Sequence, residues 1–142
     1  FSNLIGAADA VAGDAGRLNV TFHHNWWADN IDQRMPRTRA GQIHVFNSLY
    51  TSSGNSYCTN AGYDARLLVQ NNVYRGVNQP FTISTYPSTP EHNGNMRIQG
   101  NETPGSTNVS SPSGDGFIPP YDYTLDATGS VEAAIRSGAG PR

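Results

Sequence analysis

Val20-Thr21-Phe22-His23-His24-Asn25-Trp26-Trp27 is the first of three segments with the same cast; the others are Ile43-His44-Val45-Phe46-Asn47-Ser48-Leu49-Tyr50 and Leu67-Leu68-Val69-Gln70-Asn71-Asn72-Val73-Tyr74. Each is a short run of alternating apolar and polar residues, then Asn, then an aromatic or apolar residue two or three places on. Alternation at a period of two is the signature of a strand with one buried face. The Asn positions are separated by 47 − 25 = 22 and 71 − 47 = 24 residues, and a weaker fourth copy, Met96-Arg97-Ile98-Gln99-Gly100-Asn101, follows. One strand per copy at such a period signals a solenoid. The units are too short for helix pairs and carry no leucine-rich consensus. The expected fold is therefore all-β, a right-handed parallel β-helix with one coil per repeat, each coil burying its inner face on its neighbours.

The recurring Asn has two readings. It marks turns, or it tolerates left-handed backbone at a coil corner while its amide bonds the Asn one coil above and below. The ladder is expected, because Asn keeps the same place relative to the strand in Asn25, Asn47 and Asn71.

Composition agrees. The 142 residues are 14% charged and 36% apolar, with 15 Gly and 9 Pro. That is the profile of one turn-rich β domain, neither a helical bundle nor a disordered tail. A formal net charge of −2 argues against general nucleic-acid binding, which needs a broad basic surface. No run approaches the ~20 apolar residues that cross a membrane. No signal peptide is visible and the chain starts at Phe1, so a processed or truncated product is expected. The lone Cys58 is expected as a buried thiol, or else its partner lies on a missing segment. Three glycosylation-type triplets, at Asn19, Asn101 and Asn108, arise easily by chance in so Asn-rich a chain.

Chemistry concentrates between the first two copies, in Gln33-Arg34-Met35-Pro36-Arg37-Thr38-Arg39. All nine basic residues of the chain are Arg, and three of them fall in these positions. On an extended backbone Arg37 and Arg39 share a face, whereas Arg34 is set by the bend at Pro36. Planar, permanently charged forks on one surface suit a carboxylate-rich partner.

The ends of the stack differ. Phe1–Asp9 reads as the end of an earlier coil without a polar cap, so upstream coils, in the same chain or another, are expected. Residues 1–103 are assigned to the coils carrying the Arg site. Residues 104–142 are assigned to a loop and tail packing on them, and this tail is expected to cover the last coil. Within it, Ser130–Ser137 is expected as a short helix with Ser130 as N-cap, Val131, Ala134 and Ile135 on one side, and Gly138 as the stop.

The string from Val20 to Trp27, then Arg34-Met35-Pro36-Arg37-Thr38-Arg39-Ala40-Gly41, then Ile43 to Tyr50, then Leu68 to Tyr74, closely resembles the pectate lyases of polysaccharide lyase family 1 over about residues 1–85. The resemblance is to the later half of such an enzyme. It implies a right-handed parallel β-helix and a secreted enzyme cleaving polygalacturonate, the de-esterified form of pectin, by calcium-assisted β-elimination. By resemblance Arg34 occupies the position of the proposed catalytic base, and Arg39 that of an Arg that binds the substrate carboxylate and orients the base. Arg37 lies beside them as a substrate-binding candidate or a rim charge. Calcium is implied as cofactor, with its carboxylate ligands and a substrate-binding Lys expected upstream of Phe1; the chain alone is accordingly expected to need its N-terminal half for turnover. A further sugar-binding Arg that the family often has before the third strand is missing from Thr59–Tyr63.

Other candidates are weighed as structural. His23 and His24 are neighbours on a strand, so one ring inward and one outward is expected; His44 follows the same logic. Trp26 and Trp27 offer a sugar-stacking face or packing beneath the Arg34 loop. Asp29 and Asp32 are expected to shape that loop. The alternatives in function are a pectin lyase acting on methylated polymer, a non-catalytic carbohydrate-binding β-helix, and an allergen-like family member without robust activity.

Overall fold

A computed structural model describes residues 1–139 of the chain. Eleven strands are dealt in turn to three parallel sheets. Sheet A holds β1 (Leu4–Ile5), β4 (Arg37–Thr38), β7 (Thr59–Ala61) and β10 (Phe81–Ile83); sheet B holds β2 (Leu18–His23), β5 (Gly41–Phe46), β8 (Arg66–Gln70) and β11 (Asn95–Gln99); sheet C holds β3 (Trp26–Trp27), β6 (Leu49–Tyr50) and β9 (Val73–Tyr74). The A-B-C rotation with parallel pairing throughout is a right-handed parallel β-helix. Residues 140–142, the last of the 104–142 segment, lie outside the described residues.

Register explains the repeats. Val20, Ile43, Leu67 and Met96 stack in one inward column of sheet B, and Phe22, Val45, Val69 and Ile98 in the next. On sheet C the stacked column is aromatic, with Trp27 4.7 Å from Tyr50 and Tyr50 4.1 Å from Tyr74 between ring centres. Burying each such side chain contributes about 1.5–3 kcal/mol, and every coil obtains that burial only from its neighbours.

Each eight-residue repeat is not one strand but two, from different sheets, meeting at a corner. The corner residues are His24, Asn47 and Asn71, with φ of 53°, 47° and 48°, and Gly100 at 62°. Asn25 therefore does not align with Asn47 and Asn71 as expected; it falls one column on, with Ser48, Asn72 and Asn101. In that second column Asn72 donates through Nδ2 to Asn101 Oδ1 (2.9 Å) and to Val45 O (3.0 Å), and Ser48 N donates to Asn72 Oδ1 (2.9 Å). Two adjacent positions divide the work: one takes the left-handed corner and the other forms the buried ladder.

The end of the stack is covered by the loop after β11. Glu102 O accepts from Tyr74 N, Pro104 O from Gly76 N, and Ser110 Oγ donates to Phe81 O. Residues 104–116 thus lie on the last coil as expected, whereas the tail beyond them runs across the outer flank of sheets B and C. Tyr121 and Tyr123 lie over His44 and Phe46, Asp126 joins Asn47 and Asn71 through its backbone, and helix α1 (Thr128–Gly138) sets Val131 and Ile135 against Leu49 and Val73. This outer cover is why β5 is buried on both faces. The helix starts earlier than expected: Ala127 is the N-cap, Ser130 bonds back to Ala127 O, and Ala134 is exposed. No helix among the described residues is long and apolar enough to cross a membrane.

Candidate functional site

The arginines emerge where the chain leaves sheet C and re-enters sheet A. Arg34 stands in that turn with φ at 69°, a left-handed conformation that costs a side-chain-bearing residue about 1–2 kcal/mol. The backbone on either side over-determines it: Asn3 N donates to Arg34 O (2.7 Å) and Met35 N to Cys58 O (2.8 Å). The Met35–Pro36 peptide is cis. The Arg34 guanidinium lies 4.3 Å over the Phe1 ring, and its Nε is buried without a hydrogen-bond partner.

On β4, Thr38 turns inward and donates to Asn60 O, so Arg37 and Arg39 are carried on the outer face. Arg37 pairs in register with Leu4 on one side and Asn60 on the other. Its Nε and the Oδ1 of Asn60 are both buried and unpartnered, while Asn60 Nδ2 donates onward to Thr82 Oγ1 at 2.9 Å. Arg39 sits between two glycines. A Cβ on Gly6 would come within 2.9 Å of Arg39 Cβ, and one on Gly62 within 2.6 Å of Thr38 O. Gly6 must lack a side chain for Arg39 to lie against it, and Gly62 must lack one to clear the Thr38 carbonyl.

Arg39 Nε donates to Asp9 Oδ1 (2.6 Å) and Nη1 to Gly6 O (3.0 Å); the other oxygen of Asp9 accepts from Tyr86 Oη at 3.1 Å. Burial, then the Asp9 hydrogen bond and charge, raise the Tyr86 phenol, against the lowering influence of Arg37 and Arg39. Tyr63 packs edge-on to Tyr86 and stacks on His92, which bonds Asp64. Burial raises the Tyr63 phenol too, helped by the charges of Asp64, Glu91 and Asp9. Among the described residues Arg34 and Arg37 form no ion pair, so the outer face of sheet A presents two guanidinium groups not offset by an acid. A groove of about 470 Å³ opens beside Ala40, Gln42, Asp64 and Arg66, but the three arginines do not line it. They lie on an open face suited to a chain polymer.

The remaining candidates are placed as follows. His23 and His24 are not split inward and outward: the left-handed corner at His24 leaves both rings exposed, with Nδ1 atoms 3.0 Å apart, and His24 Nε2 meets Asp126 at 2.8 Å. His44 is buried beneath the tail between Gln70 and Tyr121. Trp27 is core and donates to Asn3 Oδ1; Trp26 lies under Arg136 on the flank of helix α1. Asp32 ties the loop to Ser56, whose hydroxyl bond lowers the Asp32 carboxyl, with Gln33 assisting. Cys58 is a buried thiol. Phe1, Asp9, Asn60 and Tyr86, all part of the Arg surroundings, were not singled out from the sequence. They carry no local motif, and Asp9 and Tyr86 reach Arg39 only because four coils stack.

Among the described residues no group of three His, Cys, Asp or Glu side chains is placed to hold a metal ion. The residues of this segment do not fit a hard cation, which takes six to eight oxygen ligands.

The family model described as pectate lyase matches residues 1–135. A curated pectate lyase of Bacillus subtilis (strain 168) is 32% identical over 148 residues, covering 98% of this chain and 35% of its own length. A solved pectate lyase bound to hexasaccharide superposes with a TM-score of 0.72 at 27% identity, covering 96% of this chain and 36% of that one. The cedar pollen allergen Jun a 1 superposes with a TM-score of 0.77 at 18% identity, covering 98% and 43%, and at that identity shares the fold alone. The chain thus spans little more than a third of the length of the first two relatives.

Proposed function

The chain belongs to the pectate lyase family, and on that premise we propose that it forms the arginine-bearing part of an extracellular lyase that cleaves polygalacturonate by β-elimination. The observation that carries this reading is the display of Arg34, Arg37 and Arg39 from one turn and one strand, with acid compensation only at Arg39. A polymer bearing one carboxylate per sugar is the complementary ligand.

Abstraction of the C5 proton of a galacturonate places charge next to a carboxylate, which opposes it. Arg39 and Arg37 take that carboxylate by charge-assisted hydrogen bonds, so that the developing enolate-like charge is spread onto guanidinium donors already in place. Arg34 acts at C5. It serves as the base that the resemblance implies, or, kept charged, it steadies the carbanion while hydroxide takes the proton. The C5–H electron pair becomes the C4–C5 double bond, the C4–O bond breaks, and the departing oxygen is protonated by water. The calcium that the resemblance implies belongs to ligands outside this segment, supplied by the upstream half of the enzyme, and no step here is routed through it.

The test uses full-length protein carrying this segment, with absorbance of unsaturated product as readout. Product from de-esterified polygalacturonate, abolished by chelator, is expected. Chelator-insensitive product from methylated pectin would make it a pectin lyase. Binding of oligogalacturonate without any product would leave a carbohydrate-binding β-helix.

A further inference from the structure

Arg39 has five donors, and the protein commits two of them. Nε goes to Asp9 Oδ1 at 2.6 Å and Nη1 to Gly6 O at 3.0 Å, leaving Nη2 without a partner among the described residues. Asp9 is itself fixed from the far side of the sheet, since its second oxygen takes the Tyr86 hydroxyl at 3.1 Å. The carboxylate therefore bridges a loop of the first coil, a strand of the second and the turn after β10. The arginine side chain is 14% exposed, against 41% for the acid, so the pair is partly shielded.

Glycines stand on both sides of the Arg39 stem, at Gly6 and Gly62, and the hydrogen bonds to Asp9 Oδ1 and Gly6 O set which edge of its guanidinium turns outward. Resting on the reading above, we propose that Asp9 is a positioning residue for Arg39. By taking Nε it turns the terminal edge, Nη2 and the spare hydrogen of Nη1, toward the carboxylate of a bound galacturonate. Arg37 and Arg34 have no such acid and are held by packing alone, which makes Arg39 the oriented member of the three. Tyr86 serves Asp9 in turn, holding the carboxylate so that it neither swings to Arg37 nor releases Arg39. The bridge also sets a preference: a fixed two-donor edge matches a planar carboxylate and not a methyl ester.

The double-variant cycle tests this in full-length protein with D9A, R39A, D9A/R39A and D9N. Binding of trigalacturonate is measured by calorimetry, and turnover by unsaturated product in the same samples. D9A is expected to weaken binding roughly tenfold, about what one oriented charge-assisted contact supplies. D9N, which keeps an acceptor for Nε, is expected to recover most of that loss. In the R39A background D9A should change binding by less than twofold, because Asp9 acts only through Arg39. Additive losses in the double variant overturn the proposal, as does D9A binding within twofold of the unaltered protein. Should the unaltered protein bind without forming product, the lyase reading fails while the cycle still decides the coupling. Absence of binding by the unaltered protein overturns both.

Discussion

The guanidinium carbon of Arg34 rests 4.3 Å from the centre of the Phe1 ring while its own backbone is held left-handed at φ 69°. The side chain is thus steadied by an aromatic face and the backbone by two flanking hydrogen bonds, and the strain is kept at the residue on which turnover is proposed to depend. Strained backbone of this kind persists only where its surroundings over-determine it.

Strain and chemistry separate at that position. Replacing Arg34 by Gly relieves about 1–2 kcal/mol of left-handed strain and adds about 0.5–1 kcal/mol of unfolded-state entropy. Arg34→Gly is expected to match or exceed Arg34→Ala in denaturant stability, and both are expected to lose roughly 10²–10³-fold or more in turnover. An Arg34→Gly protein that keeps its turnover would refute the role given to this side chain.

The two Asn columns make opposite forecasts. Asn72 is fully buried and its amide serves Val45 O, Asn101 Oδ1 and Ser48 N. Asn72→Ala strands those groups at about 1–3 kcal/mol each, discounted for partial rescue by relaxation, so a loss of at least about 3 kcal/mol is expected. Asn71 lies at the corner with φ 48° and gives one bond to the Asp126 carbonyl. Asn71→Gly exchanges that bond, about 1 kcal/mol, for relief of a left-handed residue, and should stay within about 1 kcal/mol of the parent. Equal losses at both positions would contradict the division of labour.

That division also marks how far the sequence could be followed. The period, the alternation at Ile43 and Val45, and the parallel β-helix were legible because inward columns demand the same residue class in every coil. The corner was misaligned at Asn25 because His24, not Asn, takes the left-handed position in the first coil. A pattern of identities cannot reveal a shared backbone conformation when the residue types differ. The Arg cluster stood out by local density, whereas its partners did not. Asp9 precedes Arg39 by 30 residues and Tyr86 lies 77 from Asp9, and only the stacking of coils makes them neighbours. The path of the tail beyond Pro119 was not legible for a related reason: its Tyr121 and Tyr123 seek His44 and Gln70 on the flank, and no spacing within the tail encodes that destination.

The same flank forecasts a pH dependence. His44 Nε2 lies 2.9 Å from Gln70 Oε1 and its Nδ1 2.8 Å from the Tyr121 hydroxyl, partners that suit a neutral ring donating through Nε2. Burial lowers its pKa below the usual imidazole value, opposed by the Gln70 bond and assisted by the nearby His23. A base whose folded pKa is depressed binds protons more readily when unfolded, so stability is present above about pH 6.5 and is lost as pH falls through the folded value. Urea midpoints are expected to fall from pH 7 to pH 5, with a shallower fall in His44→Gln. Identical slopes in the two proteins would refute the assignment of this dependence to His44.

Cys58 reports on the turn that carries Arg34. Its carbonyl accepts from Met35 N at 2.8 Å, and Asn55 Nδ2 donates to its sulfur at 3.3 Å. The side chain is fully buried and burial pushes the thiol well above its ordinary range, with the Asn55 bond a lesser opposing influence. Little thiolate forms at pH 8 and none of it is accessible, so a thiol reagent should leave the native protein unlabelled. Labelling is expected to appear with denaturant in step with global unfolding, and turnover to vanish over the same range. Fast labelling of fully active protein in buffer would mean that the segment under Arg34 opens on its own, and the arginine would then lack the fixed backbone on which its placement relies.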